Sequence, residues 1–252
     1  MTGSASLWVL SQVAGPRRVA TVLHAGPSAV YLDLGGTCIA VLAADAVQVP
    51  CGVRTTLDEL PGVGAGDEVH VFNGSVVLPT VEVHVTTIVD ATVPVVSPES
   101  AVWGAERIAD HAAVPLAHAR AALPTLALER LAAGDTTAVP ALVGLGDGLT
   151  PLGDDVLCGW LAAAVARRHP ALGEMRSVVE SGAAQRTTTL SATLLACAAR
   201  GEGIPEFRDV VGAVANHDAP WLQQSVDRVL AVGETSGQGL LLGAVLALGS
   251  RP

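Results

Sequence analysis

The spacing of apolar residues changes near residues 94–98, and this change limits the folds open to the chain. Before it, short runs rich in Val, Leu and Ile are broken by Gly, Pro or Ser, a pattern typical of strands. After it, Ala- and Leu-rich stretches follow a helical spacing. We therefore predict an α+β fold, with an antiparallel, barrel- or sandwich-like β domain in residues 1–98 and a larger all-α domain in residues 99–252.

Individual elements can be placed on this pattern. Strands are predicted at LWVLSQV (7–13), RVATVLHA (18–25), SAVYLDL (28–34), TCIAVLA (37–43), VHVF (69–72), SVVL (75–78) and TVEVHVTTIV (80–89). Gly35-Gly36 is expected to form a two-residue hairpin, and Asn73-Gly74 a type I′ turn, whose central residues need positive φ. Helices are predicted at 101–113, 115–133, 152–168, 171–200, 205–216, 219–231 and 236–248.

The chain contains no lysine, since all fourteen of its Lys and Arg residues are arginine. A Walker A loop, a pyridoxal enzyme and a protein kinase each need a lysine, so these three classes are excluded. The net charge of −10, without a basic run longer than an arginine pair, argues against nucleic-acid binding.

The cysteines and the chain ends indicate where the protein works. Cys38, Cys51, Cys158 and Cys197 have neither CxxC spacing nor a disulfide framework, and the histidines show no metal-site spacing. We expect buried thiols in a reducing compartment and assign no metal ligands. No signal peptide or bilayer-spanning run is evident, so a cytoplasmic protein without membrane contact is predicted. Charged residues make up 15%, against about 25% usually, which fits an oligomer and equally a high-GC genome.

The segment GLGDGLTPLGDD, Gly144 to Asp155, sets three closely spaced glycines and two adjacent aspartates before an apolar helix. Thr150 is expected to cap that helix, with Pro151 and both aspartates near its first turn. The aspartates could serve only to complement the helix dipole. That explanation leaves the glycines unexplained, whereas glycines let backbone amides approach an anion and paired carboxylates can bind a cation or an amide NH₂. We therefore predict a ligand site here.

Two further segments have a related character. In AAQRTTTLSATLLACA (183–198), one arginine and four hydroxyl residues interrupt an apolar helix. Thr187 and Ser191 share a helix face at i, i+4, although such residues can equally form a helix start or bond to their own carbonyls. In VGETSGQGLLLGAVLAL (232–248), Thr235 or Ser236 is expected to cap an apolar helix, and anion binding is the alternative.

Together the three segments resemble a bacterial family that includes the AllH-type subunit of oxamate carbamoyltransferase, from anaerobic allantoin degradation, a route of purine catabolism. The family pattern looks like GLGPGLTPSGDD, a Thr-rich helix segment and a TSG segment, which are here GLGDGLTPLGDD, RTTTLSATLL and GETSGQGLLLG in the same order. The resemblance extends more loosely into the β region. The chain departs from the pattern at Asp147 (usually Pro), Leu152 (usually a small hydroxyl residue) and Gly239 (usually acidic).

The resemblance implies a subunit or homologue of a carbamoyltransferase that moves a carbamoyl group between an oxalurate-like ureido acid and phosphate. It would act with partner subunits on a small anion such as carbamoyl phosphate or oxamate. In this hypothesis backbone amides of the first and third segments hold anionic oxygens, Arg186 clamps a carboxylate, and Asp154 or Asp155 accepts the carbamoyl NH₂ or acts as base. The predicted substrate-binding residues are Gly144, Gly146, Gly148, Thr150, Thr187, Thr188, Ser191, Thr235, Ser236 and Gly237.

Two alternatives stay open. A noncatalytic assembly subunit would use the same loops structurally, which is consistent with the low content of charged residues. A nucleotide- or phosphate-binding enzyme would place Mg²⁺ on the aspartate pair, and this is the one case in which a cofactor is expected. The residues do not decide which acid or amide is the substrate.

Overall fold

The computed structural model describes residues 1–250, which divide into two compact units, Met1–Ala91 and a second unit that begins at Thr92. The first unit contains a closed β-barrel and the second is helical, so the predicted α+β fold is confirmed. The predicted boundary between residues 98 and 99 concerns independently folding domains and stays a prediction.

The barrel is formed by eight strands: β1 (Thr2–Ala5), β2 (Arg18–Ala25), β3 (Ala29–Asp33), β4 (Cys38–Leu42), β5 (Gly52–Arg54), β6 (Glu68–Phe72), β7 (Ser75–Leu78) and β8 (Val81–Ile88). They close in the order β1-β5-β4-β3-β2-β6-β7-β8. The β1–β8 and β4–β5 pairs are parallel, and the other pairs are antiparallel. Inward-facing side chains such as Val22, Leu32 and Val41 form the core of this unit.

Both predicted hairpin turns are present in the barrel. Asn73 and Gly74 join β6 to β7 with φ angles of 50° and 82°, the positive values that a type I′ turn requires. Gly35 and Gly36 join β3 to β4 with φ angles of 71° and 86°. These turns were predictable because the need for positive φ acts within two residues.

The segment Leu7–Val13, predicted as a strand, is instead a helix, α1. The Ser6 hydroxyl caps it by accepting a hydrogen bond from the Val9 amide at 3.2 Å. Val9 and Val13, four residues apart, are both fully buried in the core of the barrel unit. Packing of this face therefore outweighs the strand preference of a Val- and Leu-rich run. Strands β1 and β5 were not predicted, because with four and three residues they are too short to show a periodic pattern.

As far as residue 250, the second unit contains ten α-helices: α2 (Pro98–His111), α3 (Ala113–Ala121), α4 (Thr125–Ala132), α5 (Val139–Leu142), α6 (Leu152–Arg167), α7 (Leu172–Gly182), α8 (Thr189–Ala199), α9 (Pro205–Ala215), α10 (Ala219–Leu230) and α11 (Ser236–Gly249). Short 3₁₀ segments, Thr136–Ala138 and Ala183–Gln185, precede α5 and follow α7. Within residues 1–250, no helix has the length and apolar character needed to cross a membrane.

Two predicted helices, 115–133 and 171–200, are wrong as single elements. The first is divided before Pro124 into α3 and α4, because proline lacks the helical N–H and disfavours helical geometry in the preceding residue. The second is divided into α7 and α8. The hydroxyl of Thr188 starts α8 by accepting a hydrogen bond from the Ser191 amide at 3.0 Å.

Helices α6 and α11 form the centre of the second unit. Both are apolar around their whole circumference, as expected of buried helices. A Cβ on Gly239 would lie 2.7 Å from the Cβ of Asp155, and one on Gly243 would lie 2.0 Å from the carbonyl oxygen of Val156. The contacts advance in the same direction along both helices. The helices are therefore parallel, and their N-terminal ends lie side by side.

Arg167 joins the opposite ends of the same two helices. Its Nη1 donates hydrogen bonds to the carbonyl oxygens of Ala247, Leu248 and Ser250 at 2.7, 3.0 and 2.7 Å. These are carbonyls at the end of α11, where a cation also complements the helix dipole. The side chain of the last residue of α6 thus caps the C-terminus of α11.

Candidate functional site

The glycine loop, residues 144–150, joins α5 to α6 in a conformation that favours glycine. Gly144, Gly146 and Gly148 have φ angles of 73°, 119° and 89°. A Cβ at Gly144 would lie 2.1 Å from the carbonyl oxygen of Arg186, and one at Gly146 would lie 2.8 Å from a backbone nitrogen of α6. Positive φ therefore accounts for all three glycines, and close backbone packing accounts for two of them.

The tip of the glycine loop presents unpaired backbone amides. Gly146, Asp147 and Gly148 are exposed, and their amides donate no hydrogen bond to any of residues 1–250. Successive free amides before a helix N-terminus can bind an anion. The exposed carboxylate of Asp147 lies in the same turn and would weaken such binding through charge repulsion.

Asp154, in the first turn of α6, ties the glycine loop to the start of α8. Its side chain is fully buried. Oδ1 accepts a hydrogen bond from the Gly144 amide at 2.8 Å, and Oδ2 accepts one from the Ser191 hydroxyl at 2.7 Å. The Thr187 hydroxyl also donates to Oδ2. The predicted shared helix face is wrong for Thr187, which precedes the N-cap of α8, but the hydroxyls of Thr187 and Ser191 still meet at Asp154. Both oxygens of Asp154 thus accept hydrogen bonds from the protein.

Asp155 is buried beside Asp154 but lacks a matching set of donors. Only 5% of its surface is exposed, and its Oδ2 has no hydrogen-bond partner within the described chain. Burial raises the pKa of Asp155 from the usual 3.8 to about 7. A hydrogen bond with Ser236 opposes this shift, and the charge of Asp154 adds to it. Asp155 is therefore a carboxyl group that titrates near neutral pH and can accept a further donor.

Hydroxyl groups hold the second half of the glycine loop. Thr150 forms a hydrogen bond with Ser236 at 3.0 Å, and Thr188 donates to the Leu149 carbonyl at 2.7 Å. The prediction that Thr150 caps α6 is wrong, because Pro151 occupies the N-cap position and no side chain caps this helix. Both aspartates do lie in the first turn of α6, as predicted.

The start of α11 differs in part from the prediction. Thr235 occupies the N-cap position, but its side chain makes no capping hydrogen bond. The Gly237 amide donates to the Val232 carbonyl at 3.1 Å, so it is already paired. A Cβ on Gly237 would lie 1.9 Å from the Val229 carbonyl oxygen, so this glycine is needed for packing against α10. Ser236 is the residue here that faces the other segments.

The guanidinium of Arg186 is bound outside the aspartate pair. Its guanidinium donates to the Pro140 carbonyl at 2.6 Å, and the residue is exposed. Among residues 1–250, no ion pair or hydrogen bond joins its side chain to Asp154 or Asp155. Its carbonyl packs against Gly144, as described above. The carboxylate clamp stays a prediction, and it would require the guanidinium to leave Pro140.

The parallel α6 and α11 give the site its electrostatic character. Each helix N-terminus carries a partial positive charge, equivalent to about half an elementary charge. Here two such ends adjoin, and the aspartates of α6 lie in the first helical turn. The two N-termini favour negative charge at this place, whereas burial disfavours it at Asp155 and raises the pKa of that carboxyl group.

The sequence reasoning missed two features near the start of α6, a contact between Leu152 and Gly239 and the position of Cys158. A Cβ on Gly239 would lie 3.1 Å from Cδ1 of Leu152, so two of the positions that depart from the family pattern are in contact. Cys158 lies one helical turn after the aspartates. Burial raises its pKa well above the usual value, and the charges of Asp155 and Asp154 raise it further. Cys158 follows Asp155 by three residues and Asp154 by four, and on a helix this spacing could have predicted that the three side chains are neighbours.

The side chains around the aspartate pair indicate how Mg²⁺ could be bound in the alternative that requires it. In the part of the chain that the structure describes, no group of three or more His, Cys, Asp or Glu side chains could hold a metal ion. Both oxygens of Asp154 accept hydrogen bonds from the protein, which leaves Asp155 as the free carboxylate of the pair. An Mg²⁺ ion would therefore have one protein carboxylate here and would depend on water and substrate oxygens for its other ligands.

A protein-family model matches the part of the chain that holds this site. Residues 142–248 match the model of a family described as oxamate carbamoyltransferase subunit AllH. The predicted family is confirmed for this segment. The AllH segment includes the glycine loop, both aspartates and the starts of α8 and α11. No curated protein and no solved structure matches the chain.

The AllH match covers less than half of the chain. All of the predicted site residues fall within the AllH segment, and the β-barrel lies outside it. The convergence of the glycine loop, α8 and α11 thus occurs inside the part of the chain that carries the family pattern.

Proposed function

We propose that the chain is a subunit of an oxamate-type carbamoyltransferase and that the glycine loop binds its small anionic substrate. One observation carries the proposal: three segments that are distant in sequence meet around two buried aspartates. Asp154 accepts hydrogen bonds from Thr187 and Ser191, and Thr150 bonds to Ser236. A purely structural loop would not need the buried, unpaired oxygen of Asp155.

The proposed reaction exchanges a carbamoyl group between a ureido nitrogen and phosphate. A phosphate oxygen bonds to the carbamoyl carbon, and a tetrahedral oxyanion forms. The bond from that carbon to the ureido nitrogen then breaks, and the nitrogen takes the proton released by the phosphate. From an oxalurate-like acid the products are oxamate and carbamoyl phosphate. The protein's task is to orient two anions and stabilise the oxyanion.

The residues are assigned roles from their contacts. The amides of Gly146 and Gly148, together with the adjoining N-termini of α6 and α11, hold anionic oxygens. Ser236 and Thr150 supply hydroxyl groups at the same place. Asp155 accepts the carbamoyl NH₂ or acts as base, since its pKa is near neutrality. Thr235 and Thr188 shape the site, and Gly237 contributes through packing.

A first experiment measures thermal stability of the purified chain with carbamoyl phosphate, phosphate, oxamate, oxalurate, or Mg²⁺ with ATP. A ligand at about 100 times its Kd stabilises a protein by about 2.7 kcal/mol, which shifts the Tm by roughly 5–10 °C at this size. We expect stabilisation by oxamate or carbamoyl phosphate in the wild type and its loss in Asp155→Ala. Asp110→Ala, on the exposed surface of α2, is the control and should retain the shift.

A second experiment measures oxamate formed from oxalurate and phosphate by the chain purified with its partner subunits. Asp155→Asn should lower the rate by about a hundredfold or more if the carboxyl group acts in proton transfer. An unchanged rate would favour a noncatalytic assembly subunit. Stabilisation only by Mg²⁺ with ATP in the first experiment would favour the nucleotide- or phosphate-binding alternative.

A further inference from the structure

A buried histidine lies where the C-terminal ends of α6 and α11 meet. His169 directly follows the C-cap residue of α6, and only 7% of its surface is exposed. Its ring is bonded to Ser250, the C-cap residue of α11, which is also held by Arg167. We propose that these three residues form a proton-sensitive latch, which holds the end of α11 while the imidazole is neutral and releases it on protonation. The latch lies at the helix ends opposite the glycine loop and is separate from the reaction proposed above.

The hydrogen bonds of the imidazole define its protonation state. Nδ1 lies 3.1 Å from the amide nitrogen of Ala171, which can only donate, so Nδ1 is the acceptor and carries no proton. The ring proton is therefore on Nε2, which lies 2.9 Å from the hydroxyl oxygen of Ser250 and donates to it. His169 is thus a neutral imidazole with both nitrogens paired.

The Ser250 hydroxyl leads to the same tautomer. Its single proton is donated to the Ala247 carbonyl at 2.8 Å. The oxygen can therefore accept from Nη1 of Arg167 at 2.9 Å and from His169, but it has no proton left to donate to the ring. The contacts at Nδ1 and at Nε2 thus assign the proton to Nε2 independently of each other, and they connect the ring to the cap of α11.

A second proton on the ring has no acceptor in this cluster. On Nδ1 it would face the proton of the Ala171 amide, so the hydrogen bond of 3.1 Å would become a contact between two donors. The new positive charge would also lie close to Arg167, whose Nη1 bonds to the same hydroxyl oxygen as Nε2. Protonation therefore favours a state in which the imidazole turns out to water and the contact with Ser250 is lost.

The elements packed around His169 supply no opposite charge. They present Trp160 and Arg167 from α6, Ser250 from the end of α11, Ala171 from the start of α7 and Gly134 from the turn after α4. Arg167 is the charged side chain of this set, the adjoining Arg168 is exposed, and within residues 1–250 no carboxylate pairs with the imidazole. Burial accordingly lowers the pKa of His169 from the usual 6.5, and the charge of Arg167 lowers it further.

The sign of the pH dependence follows from this lowered pKa. A released His169 binds a proton more readily than the latched one does. The latch is therefore intact above about pH 6.5 and weakens as the pH falls below that value. Because one proton is involved, the equilibrium between the latched and the released state changes by at most about tenfold per pH unit.

Amide hydrogen exchange on the ¹⁵N-labelled full chain tests the latch. The protection factors of the Ala171 and Gly249 amides, corrected for intrinsic exchange, should fall together between about pH 6.5 and pH 5, by up to about tenfold per pH unit. In His169→Gln, whose side chain does not titrate, protection of both amides should be independent of pH over this range. His118→Gln, on the exposed surface of α3, is the control and should keep the pH dependence of the wild type.

A second measurement needs no variant. The ¹⁵N chemical shifts of the His169 ring at pH 7 should identify Nε2 as the protonated nitrogen and Nδ1 as the unprotonated one. A proton on Nδ1 at this pH would overturn the latch even if His169→Gln failed to fold. Protection that is independent of pH in the wild type, or that falls equally in His169→Gln, would overturn it as well.

Discussion

Replacing Asp155 by asparagine should stabilise the protein, and the gain should grow with pH. The carboxyl group is 95% buried, its Oδ2 has no donor within the described residues, and the charge of Asp154 lies beside it. An asparagine side chain has almost the same shape and carries no charge. The variant therefore removes the cost of burying an ionised group without opening a cavity.

The sign and size follow from the pKa. Because the folded-state pKa is raised from 3.8 to about 7, the folded protein holds this proton more tightly than the unfolded chain. The contribution of Asp155 to stability is thus fully present below about pH 4 and is lost as pH rises through about 7. At about 1.4 kcal/mol for each tenfold change in proton affinity, the loss is about 4 kcal/mol. The adjoining N-termini of α6 and α11 offset about 1–2 kcal/mol, so we expect a gain of roughly 2–3 kcal/mol at pH 8.

Urea denaturation at about pH 5 and pH 8 measures the effect. The stability difference between Asp155→Asn and the wild type should be larger at pH 8 by about 2 kcal/mol. Asp110→Asn, in an exposed position, should show little change at either pH. If Asp155→Asn is less stable than the wild type at pH 8, the description of Asp155 as a buried carboxylate without a partner is refuted.

Three further predictions concern packing, capping and charge. Gly243→Ala should destabilise the chain by about 3 kcal/mol in urea denaturation, because the added Cβ would lie 2.0 Å from a carbonyl oxygen of α6. In the control variant Gly249→Ala the nearest neighbour of the added Cβ lies 3.4 Å away, so the loss of stability should be small. Equal effects of the two variants would contradict the close contact of α6 with α11. Arg167→Met should cost about 2 kcal/mol in the same assay, since three carbonyls of the α11 terminus lose their donor, and an unchanged midpoint would argue against this cap. Asp147→Asn should tighten binding of oxamate or carbamoyl phosphate about fivefold by removing a like charge from the glycine loop, and weaker calorimetric binding would count against anion contact there.

The parts of the fold that depend on nearby residues could be predicted from the sequence. The turn at Asn73 and Gly74 and the glycine loop follow from steric rules that act within a few residues. Segment α1 was misjudged because its Val and Leu content indicates a strand, while burial of Val9 and Val13 on one helical face is settled by tertiary packing. The break between α7 and α8 was also missed. The apolar residues keep a helical spacing across it, whereas the Thr188 side chain caps a new helix there.

The site was predictable as a set of segments but not as a set of contacts. The sequence indicates that the glycine loop, the Thr-rich segment and the TSG segment each bear polar groups before or within apolar helices. It does not distinguish Asp154 from Asp155, because their different surroundings arise from α8 and α11, which are distant in the chain. Nor does it show that the Arg186 guanidinium bonds to the Pro140 carbonyl.

The most direct test of the central claim, that the glycine loop and the start of α11 form one ligand site, is an NMR titration. The ¹⁵N-labelled chain would be titrated with oxamate and with carbamoyl phosphate. The account predicts that the amides of Gly146, Gly148 and Ser236 shift together and saturate at one ligand concentration. Shifts confined to the β-barrel unit, or no shift at millimolar ligand, would contradict it.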